Sequence, residues 1–427
     1  MLPAKGGDRD ITLRTDLPDA SVPPSDTRVT PETAVRFAKL ESPSSEPALR
    51  TAPGAHNWRV VCLEFRANKG GYGDVMQLGD GSAAQSSIDQ VPHDILIDRV
   101  YLHGDPSVGQ KRGIALNARA ITIRNSYIAD IAAAGADAQA IAGWNGPGPF
   151  LIENNELEAA GEVFLLGGAD PAIPELVPTD IVFRYNHVTR PIAWRGSRWQ
   201  IKNLLELKNA RRVRIEYNLF ENNWLAAQPG YAILFTPRNQ DGRCPWCVVE
   251  SVEFSHNVLR NTSAGLSISG YDSPNTSKQT NAIRVEDNLF YGITTRLGGN
   301  GWAVLVGDEP RDLSFDHNTF DFDGTTLLYA YGGEEKGHAR PIAGFRFTNN
   351  AGRKGQYGIN GADASPGKLT MERFFPGATI SGNVLKDDLD IKASNGAGAD
   401  VKRLLEMADA VTRGVIPSVG PTTSSGR

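Results

Sequence analysis

Glu206, Lys208 and Arg238 are the residues of this 427-residue chain whose types and spacing best suit chemistry on an anionic substrate. Glu206 and Lys208 are two positions apart in a short apolar run, so they share one face of a β-strand if Leu205 and Leu207 point inward. Arg238 follows Lys208 by 30 residues and lies just beyond a similar apolar run. The three charged side chains are therefore candidates for one site.

A lysine and an arginine placed together suit β-elimination of a uronate-containing polymer. The C5 proton of a uronate becomes acidic when a positive charge neutralises its carboxylate, and a lysine whose pKa is lowered by neighbouring cations can remove it. Lys208 is the predicted base, and Arg238 neutralises the carboxylate or assists the leaving oxygen. Glu206, together with Glu162 from further upstream, is the predicted ligand set for a Ca²⁺ ion. Ordinary solvent-facing charges on a sheet are the alternative interpretation.

Basic residues are concentrated in one part of the chain. The whole chain has 44 Lys and Arg against 49 Asp and Glu, a net charge of −5 that argues against a general nucleic-acid binder. Residues 184–214 nevertheless carry nine Lys and Arg and one Glu, and such a band steers anions to one place. The residues predicted to bind substrate in and beside this band are Arg195, Arg198, Trp199, Trp224 and Tyr231. A solvated basic face, with the rings packed under a loop, is the alternative.

An internal repeat determines how these residues are positioned. Its template alternates apolar and polar residues and then places an Asn two positions before another apolar residue. Each repeat contains a strand of period two, a turn and a second short apolar run. The Asn of the template recurs every 30 to 39 residues, at Asn155, Asn186, Asn218, Asn257, Asn288, Asn318, Asn350 and Asn383.

A repeat of about 31 residues with short strands and no helical period is typical of one coil of a parallel β-helix. The predicted fold is all-β, a right-handed single-stranded parallel β-helix of about ten coils. Stacked coils place equivalent positions about 4.8 Å apart, so Lys208 and Arg238 become neighbours on adjacent coils. The Asn column is then an internal ladder of hydrogen bonds. Propellers and leucine-rich repeats require other periods.

The two ends of the chain differ from its middle. The β-helix is predicted over residues 8–385, and residues 386–427 form a C-terminal unit. Apolar residues at helical spacing over 400–414 predict a short helix that caps the last coil, followed by a flexible Pro-, Ser- and Thr-rich tail from Ile416. Because Ile11 already begins a strand-like run and no signal peptide precedes it, we expect a leader and a first coil to be missing.

Two further observations limit the classes of protein. Cys244 and Cys247 form a single CxxC, which we interpret as a loop with a local disulfide, since a zinc site needs two more ligands. No apolar run approaches the 18 or more residues of a membrane span.

One stretch of the sequence resembles a known group of enzymes. The central region of the alginate lyase and chondroitinase-B-like polysaccharide lyases is similar to the run Glu206-x-Lys208-Asn209, followed by Asn218, Gly230 and the strand before Arg238. Those lyases, of the pectate-lyase-like superfamily, fold as right-handed parallel β-helices and use a Lys base and an Arg from consecutive coils, many with Ca²⁺. The resemblance implies the same roles for Lys208 and Arg238.

These observations predict a secreted protein, extracellular or periplasmic and monomeric, that cleaves an acidic polysaccharide by β-elimination. Two alternatives stay open. The first is a glycoside hydrolase, although the Asn-Thr-Asp and Gly-His-Gly runs of polygalacturonase-type β-helices are not present, and Asp-Asp occurs only at residues 387–388 in the predicted C-terminal unit. The second is a β-helix that binds carbohydrate at a surface without turnover.

Overall fold

The fold is built from three parallel sheets that run the length of the molecule. The computed structural model describes residues 1–272, 275–332, 334–335, 338–391 and 397–417. The chain passes from the first sheet to the second and then to the third, and each strand pairs with its equivalents one coil earlier and later. This is a right-handed parallel β-helix, as the repeat predicted, and two of its sheets have twelve strands.

Strand bounds are as follows. The first sheet contains Ile11–Arg14, His56–Val61, His93–Asp98, Arg119–Arg124, Phe150–Glu153, Thr179–Arg184, Ala210–Glu216, Val249–Ser255, Asn281–Glu286, Arg311–Asp316, Arg346–Thr348 and Thr379–Ser381. The second contains Ala38–Leu40, Leu63–Phe65, Tyr101–His103, Tyr127–Ile131, Glu156–Ala159, His187–Thr189, Leu219–Asn223, Val258–Thr262, Leu289–Ile293, Thr319–Phe322, Ala351–Gly352 and Val384–Leu385. The third contains Leu49–Arg50, Asp74–Gly79, Arg112–Asn117, Gln139–Gly143, Phe164–Leu166, Leu205–Leu207, Tyr231–Phe235, Ala264–Ser269, Val304–Gly307, Thr326–Tyr331 and Gly358–Gly361.

The remaining elements are short. Glu334–Glu335 and His338–Ala339 form a small antiparallel hairpin. The α-helices are Pro31–Ala34, Lys368–Phe374 and Val401–Thr412, and the 3₁₀ helices are Asp19–Ser21, Ile88–Gln90, Ile192–Trp194 and Thr295–Leu297. Within the described residues, no helix combines the length and the apolar character that crossing a membrane requires. The predicted loop disulfide is present between Cys244 and Cys247.

Inward-pointing side chains of all three sheets form one continuous apolar core. The register partners Phe290 and Phe320 stack from coil to coil with ring centroids 5.0 Å apart. Phe220 of the second sheet packs on Phe254 of the first, with ring centroids 5.8 Å apart. Each coil therefore buries its apolar face on its neighbours and not within itself.

The recurring Asn residues form the predicted internal ladder. The Oδ1 of Asn257 accepts hydrogen bonds from the backbone N and the Nδ2 of Asn218, at 3.0 and 2.9 Å. Its Nδ2 donates to the Ile215 carbonyl at 2.8 Å and to Asn288 Oδ1 at 3.1 Å. The same pattern holds along the column. These buried side-chain amides therefore provide hydrogen-bond partners for the backbone N–H and C=O groups at one corner of successive coils.

The helix Val401–Thr412 forms where helical spacing predicted it, but it does not cap the last coil. Its buried Leu404, Met407 and Val411 pack beside Leu219 on the flank of the second sheet. The apolar stripe of the helix matches apolar side chains that point outward from that sheet. Near the last coil, Phe375 packs on Phe345 instead, with ring centroids 4.2 Å apart. The predicted tail continues beyond the described residues after Pro417.

Candidate active site

A cleft of about 400 Å³ opens on the outer surface of the third sheet. Loop residues that follow or precede the strands of several successive coils supply its walls. The charged side chains that line it are Lys111, Arg112, Asp137, Glu162, Lys202, Lys208 and Arg238. Three of the residues singled out from the sequence, Glu162, Lys208 and Arg238, are therefore in one place.

Lys208 and Arg238 lie on adjacent coils, as their spacing predicted. Leu207 and Phe235 pair in register in the third sheet, and both are fully buried in the core. The backbone N of Arg238 donates to the Lys208 carbonyl at 2.9 Å, so the parallel pairing continues to these two residues. Their side chains are both partly exposed in the cleft.

A carboxylate that sequence reasoning did not identify lies between the two cations. Asp272 Oδ2 is 2.8 Å from Arg238 Nη1 and 3.8 Å from Lys208 Nζ. Arg238 Nε also donates to Gln240 Oε1 at 2.9 Å. Asp272 lies in the turn after the strand Ala264–Ser269, one coil beyond Arg238, and the parity that orients the strand residues does not extend into that turn.

Glu206 is directed outward, as its parity predicted, but it is fully buried beneath Lys208. Its Oε1 is 2.9 Å from Lys208 Nζ, and its Oε2 accepts a hydrogen bond from Asn203 Nδ2 at 2.9 Å. A charge with two partners is tolerated at such a position, whereas an unpaired one is not. Glu206 therefore anchors the lysine amine from below.

Glu162 forms a second buried carboxylate in the cleft. Its Oε2 accepts from Gln139 Nε2 at 3.0 Å, and its Oε1 is 3.1 Å from Lys202 Nζ. Burial raises the pKa of Glu162, and the negative charge of Glu206 raises it further. The two carboxylates are thus close enough to interact, and they occupy different environments.

Further polar contacts fix the cleft wall along the axis of the molecule. Arg112 Nη1 is 2.9 Å from Asp74 Oδ1, and Arg112 Nε donates to Gln139 Oε1 at 3.0 Å. Lys202 Nζ is 2.7 Å from Asp137 Oδ2. Each basic side chain named here is therefore held in place by a residue on its own or a neighbouring coil.

The predicted calcium ligands are already occupied by protein donors. Glu206 and Glu162 each accept a hydrogen bond from one side-chain amide and pair with one lysine. In the part of the chain that the structure describes, no group of three or more His, Cys, Asp or Glu is arranged to hold a metal. In this arrangement the two carboxylates do not fit a Ca²⁺ site.

The residues predicted to bind substrate divide into two groups. Arg195, Arg198 and Trp199 lie in the loop beside the cleft, where Arg198 Cζ is 4.3 Å from the Trp199 ring centroid and Arg195 Nη2 donates to the Arg296 carbonyl at 2.7 Å. Trp224 and Tyr231 are only 4% and 5% exposed. Their rings offer no face to a sugar, because Trp224 packs under the loop and Tyr231 is enclosed beside its strand.

The basic band of the sequence is not one surface. Part of it lies on the first sheet, away from the cleft, in the ion pairs Arg184–Glu153, Arg211–Glu250 and Arg212–Asp180. Arg190 is fully buried, and burial lowers its pKa to about 9. The expectation of a single anion-steering band is wrong, because consecutive strands of a coil belong to different sheets and their side chains lie on different faces of the molecule.

The fold and this cleft define a parallel β-helix protein with a polar cleft on its third sheet. No protein-family model and no curated protein sequence matches the chain. Among solved structures, it is similar to a mannuronic acid-specific polysaccharide family 6 lyase from human gut microbiota, with TM-score 0.52 and 13% identity over 90% of this chain and 82% of that one.

Two other solved structures are similar to the chain at lower TM-scores. A Dettilon tailspike protein gives TM-score 0.43 and 12% identity over 83% of this chain. A GH87 alpha-1,3-glucanase from Streptomyces thermodiastaticus strain HF3-3 gives TM-score 0.45 and 14% identity over 83% of this chain. The chain spans 60% and 61% of the length of these two proteins. The similarity to the polysaccharide lyase agrees with the predicted β-helix, and at 13% identity it shows the fold alone.

Proposed function

We propose that the chain binds an acidic polysaccharide in the cleft and cleaves it by β-elimination. Lys208 is the base and Arg238 neutralises the uronate carboxylate. The observation that carries the proposal is the position of Asp272, whose carboxylate lies 2.8 Å from Arg238 and 3.8 Å from Lys208. A carboxylate is therefore accommodated between these two cations, where a uronate carboxylate is required for elimination.

The reaction follows from exchanging one carboxylate for another. When the uronate carboxylate replaces that of Asp272 at Arg238, the neighbouring C5 lies within reach of Lys208. The Lys208 ammonium first gives a proton to water, and the resulting amine takes the C5 proton. The C5–H electron pair then forms the C4–C5 double bond, and the C4–O bond breaks. The leaving oxygen takes up a proton from water. Glu206 orients the amine throughout by its 2.9 Å contact.

The charges of the cleft favour a ligand with repeated carboxylates. Lys111, Arg112, Lys202, Lys208 and Arg238 all line it. Four of the five are paired with acids of the protein. The carboxylates of a polyanion therefore bind these side chains by replacing the protein carboxylates that pair with them. Binding by exchange between partly exposed charges weakens as the salt concentration rises.

A screen of acidic polysaccharides tests the proposal. Alginate, pectate and glycosaminoglycans are incubated with the protein, with and without a chelator, while the ultraviolet absorbance of an unsaturated uronate product is followed. We expect product from at least one polymer, and a fall in kcat of about 10²- to 10⁴-fold in Lys208→Ala. The chelator arm tests the predicted calcium requirement.

Matched variants separate the site from general damage. Lys368→Ala and Arg212→Ala remove an exposed lysine and an exposed arginine far from the cleft, and we expect both to retain wild-type turnover. Absence of unsaturated product from every polymer contradicts the proposal. Glycan binding that survives Lys208→Ala and Arg238→Ala without turnover would indicate a carbohydrate-binding β-helix instead.

One observation favours glycoside hydrolysis as a second candidate. Burial and the charge of Glu206 raise the pKa of Glu162, and a carboxyl with a raised pKa beside a second carboxyl suits a general acid. This candidate predicts new reducing ends without unsaturated product, and loss of that activity in Glu162→Gln. Glu175→Gln, at an exposed carboxylate, is the matched control.

A further inference from the structure

A second cavity adjoins the cleft toward the N-terminal coils. It measures about 380 Å³, and Lys111 and Ala136 line both cavities. The loops that build it follow the second sheet in successive coils. Tyr72, Val108, Lys111, Arg198 and Trp199 contribute its larger side chains. The two cavities therefore form one groove that continues along the axis of the β-helix.

Apolar side chains are unusually exposed in this cavity. Tyr72 is 72% exposed and Val108 is 53% exposed, and the half-buried Trp199 lies on the same wall. Single exposed apolar residues need no explanation, but several of them within one concave site indicate a binding surface. An aromatic ring at such a position offers its face to the apolar side of a sugar ring.

The positive charges of this cavity differ from those around Lys208. Among the residues that the structure describes, neither Lys111 nor Arg198 forms an ion pair with a carboxylate. Arg198 donates to the Ser107 carbonyl and stacks on Trp199, which leaves its charge unmatched by an acid. Two cations without acidic partners beside exposed apolar side chains suit a sugar that carries a carboxylate.

The loops that hold the cavity are closely packed. The Lys111 backbone N donates to the Gly71 carbonyl at 2.8 Å, and the Val108 backbone N donates to Asp105 Oδ1 at 2.8 Å. A Cβ at Gly71 would come within 2.4 Å of the Gly109 carbonyl oxygen, so only glycine fits where the two loops come into contact. The positions of Val108 and Lys111 are thus set before a ligand binds, which lowers the cost of ordering them.

We infer that this cavity is a subsite for a further acidic sugar unit of the glycan whose reacting unit lies at Lys208 and Arg238. The sugar ring packs on Tyr72 and Val108, and its carboxylate is bound by Lys111 and Arg198. The choice of ligand rests on the proposed function. It follows that long chains bind better than short ones, because only long chains fill both cavities.

Binding is measured by titration calorimetry in the Lys208→Ala background, where turnover does not interfere. The probes are alginate, pectate and chondroitin sulfate, each as the polymer and as a trisaccharide. We expect Tyr72→Ala and Arg198→Ala, at residues that line the second cavity and not the cleft, each to weaken polymer binding about 3- to 10-fold and to leave trisaccharide binding unchanged. Tyr357→Ala removes a partly exposed tyrosine outside the groove and is expected to change neither.

The outcomes separate this inference from the proposed function. If the wild-type protein forms no unsaturated product but Tyr72→Ala and Arg198→Ala weaken polymer binding, the subsite stands and the lyase proposal falls. If polymer affinity is unchanged in both variants, or if none of the three polymers binds, the subsite is overturned. Equal weakening of the trisaccharide and the polymer also overturns it, since both would then occupy a single site.

Discussion

Asp272 shows that the charges of the candidate site are matched within the protein before any ligand arrives. Its carboxylate pairs with Arg238, while the buried Glu206 pairs with Lys208. A surface that appears strongly basic in the sequence is therefore close to neutral in the cleft. Affinity for an anionic glycan then depends on how readily a partly exposed acid such as Asp272 gives up its partner.

Asp272→Asn tests this competition. The variant keeps the shape of the side chain and removes its charge, so Arg238 loses a competing carboxylate. We expect the KM for the cleaved polymer, or the Kd in the Lys208→Ala background, to fall several-fold, and its salt dependence to steepen. The exposed Asp241, paired with Arg243, provides Asp241→Asn as the control. Weaker binding in Asp272→Asn would show that Asp272 positions the cations and does not compete for them.

Only part of this site could be predicted from the sequence. The parity of Leu205 and Leu207 and the repeat spacing were sufficient to bring Lys208 and Arg238 together, because register in stacked coils is fixed by the apolar pattern. The same reasoning places Asp272 one coil beyond Arg238 but not its side chain, because a turn residue has no fixed parity. The sequence also does not show that Trp224 is buried, because the presence of an aromatic residue in a loop does not indicate which side of the loop is covered.

At the level of elements, the Asn ladder stabilises one corner of successive coils. Replacing Asn257 by Ala leaves the Asn218 backbone N and the Ile215 carbonyl without these partners, and both groups are buried. We expect the free energy of unfolding to fall by about 2–4 kcal/mol, measured by denaturant titration. The control, Asn383→Ala, lies at the partly exposed end of the column and is expected to cost about 1 kcal/mol. Equal losses at both positions would contradict a cooperative ladder.

A buried histidine connects three strands of the second sheet. His187 Nδ1 is 2.7 Å from Glu156 Oε1, and its Nε2 is 2.8 Å from Glu221 Oε1. Burial alone would lower the pKa of His187, but the charge of Glu156 and the hydrogen bonds to both carboxylates raise it to about 9. The folded protein therefore holds this proton more tightly than the unfolded chain does.

This difference predicts the direction of a pH dependence. The stability that protonated His187 contributes is fully present below its ordinary pKa of 6.5 and is lost as pH rises through about 9. We expect the wild-type free energy of unfolding to decrease by about 3 kcal/mol over that interval. His187→Gln should lack this decrease, while His317→Gln, at a partly exposed histidine, should keep it. The same decrease in wild type and His187→Gln would refute the assignment.

On the scale of the whole molecule, the terminal segments cover the second sheet and leave the third sheet to form the cleft. Arg28 of the N-terminal segment is buried against Glu156, at 2.8 Å, and its side chain packs on Gly414 beyond the C-terminal helix. The two segments thus meet on one flank. Binding on the third sheet is separated from them by the apolar core.

Met407→Asp tests that separation. The substitution places a charge in the buried contact between the C-terminal helix and the flank, so we expect a lower Tm and a loss of about 2–4 kcal/mol in unfolding free energy. Glycan affinity measured below the new Tm should equal that of wild type. Lys402→Asp, on the exposed side of the same helix, should leave both unchanged. A parallel loss of affinity would show that the helix supports the cleft.

The overall fold was predictable because every coil repeats the same apolar pattern, so one correct interpretation applies along the whole chain. The position of the C-terminal helix was not predictable in this way. Its apolar stripe indicates that it must be covered, but not whether Leu219 on the flank or Phe345 near the last coil provides the cover. The net charge of residues 184–214 was likewise a poor guide to the charge of any one surface, because consecutive residues of a coil face different directions.

A crystal structure of Lys208→Ala with a bound acidic oligosaccharide, drawn from a polymer that the protein cleaves or binds, tests the central claim most directly. The account predicts a uronate carboxylate at Arg238, with the 2.8 Å contact between Arg238 and Asp272 broken and the uronate C5 facing position 208. An oligosaccharide bound outside the cleft, with Asp272 still paired to Arg238, would contradict it.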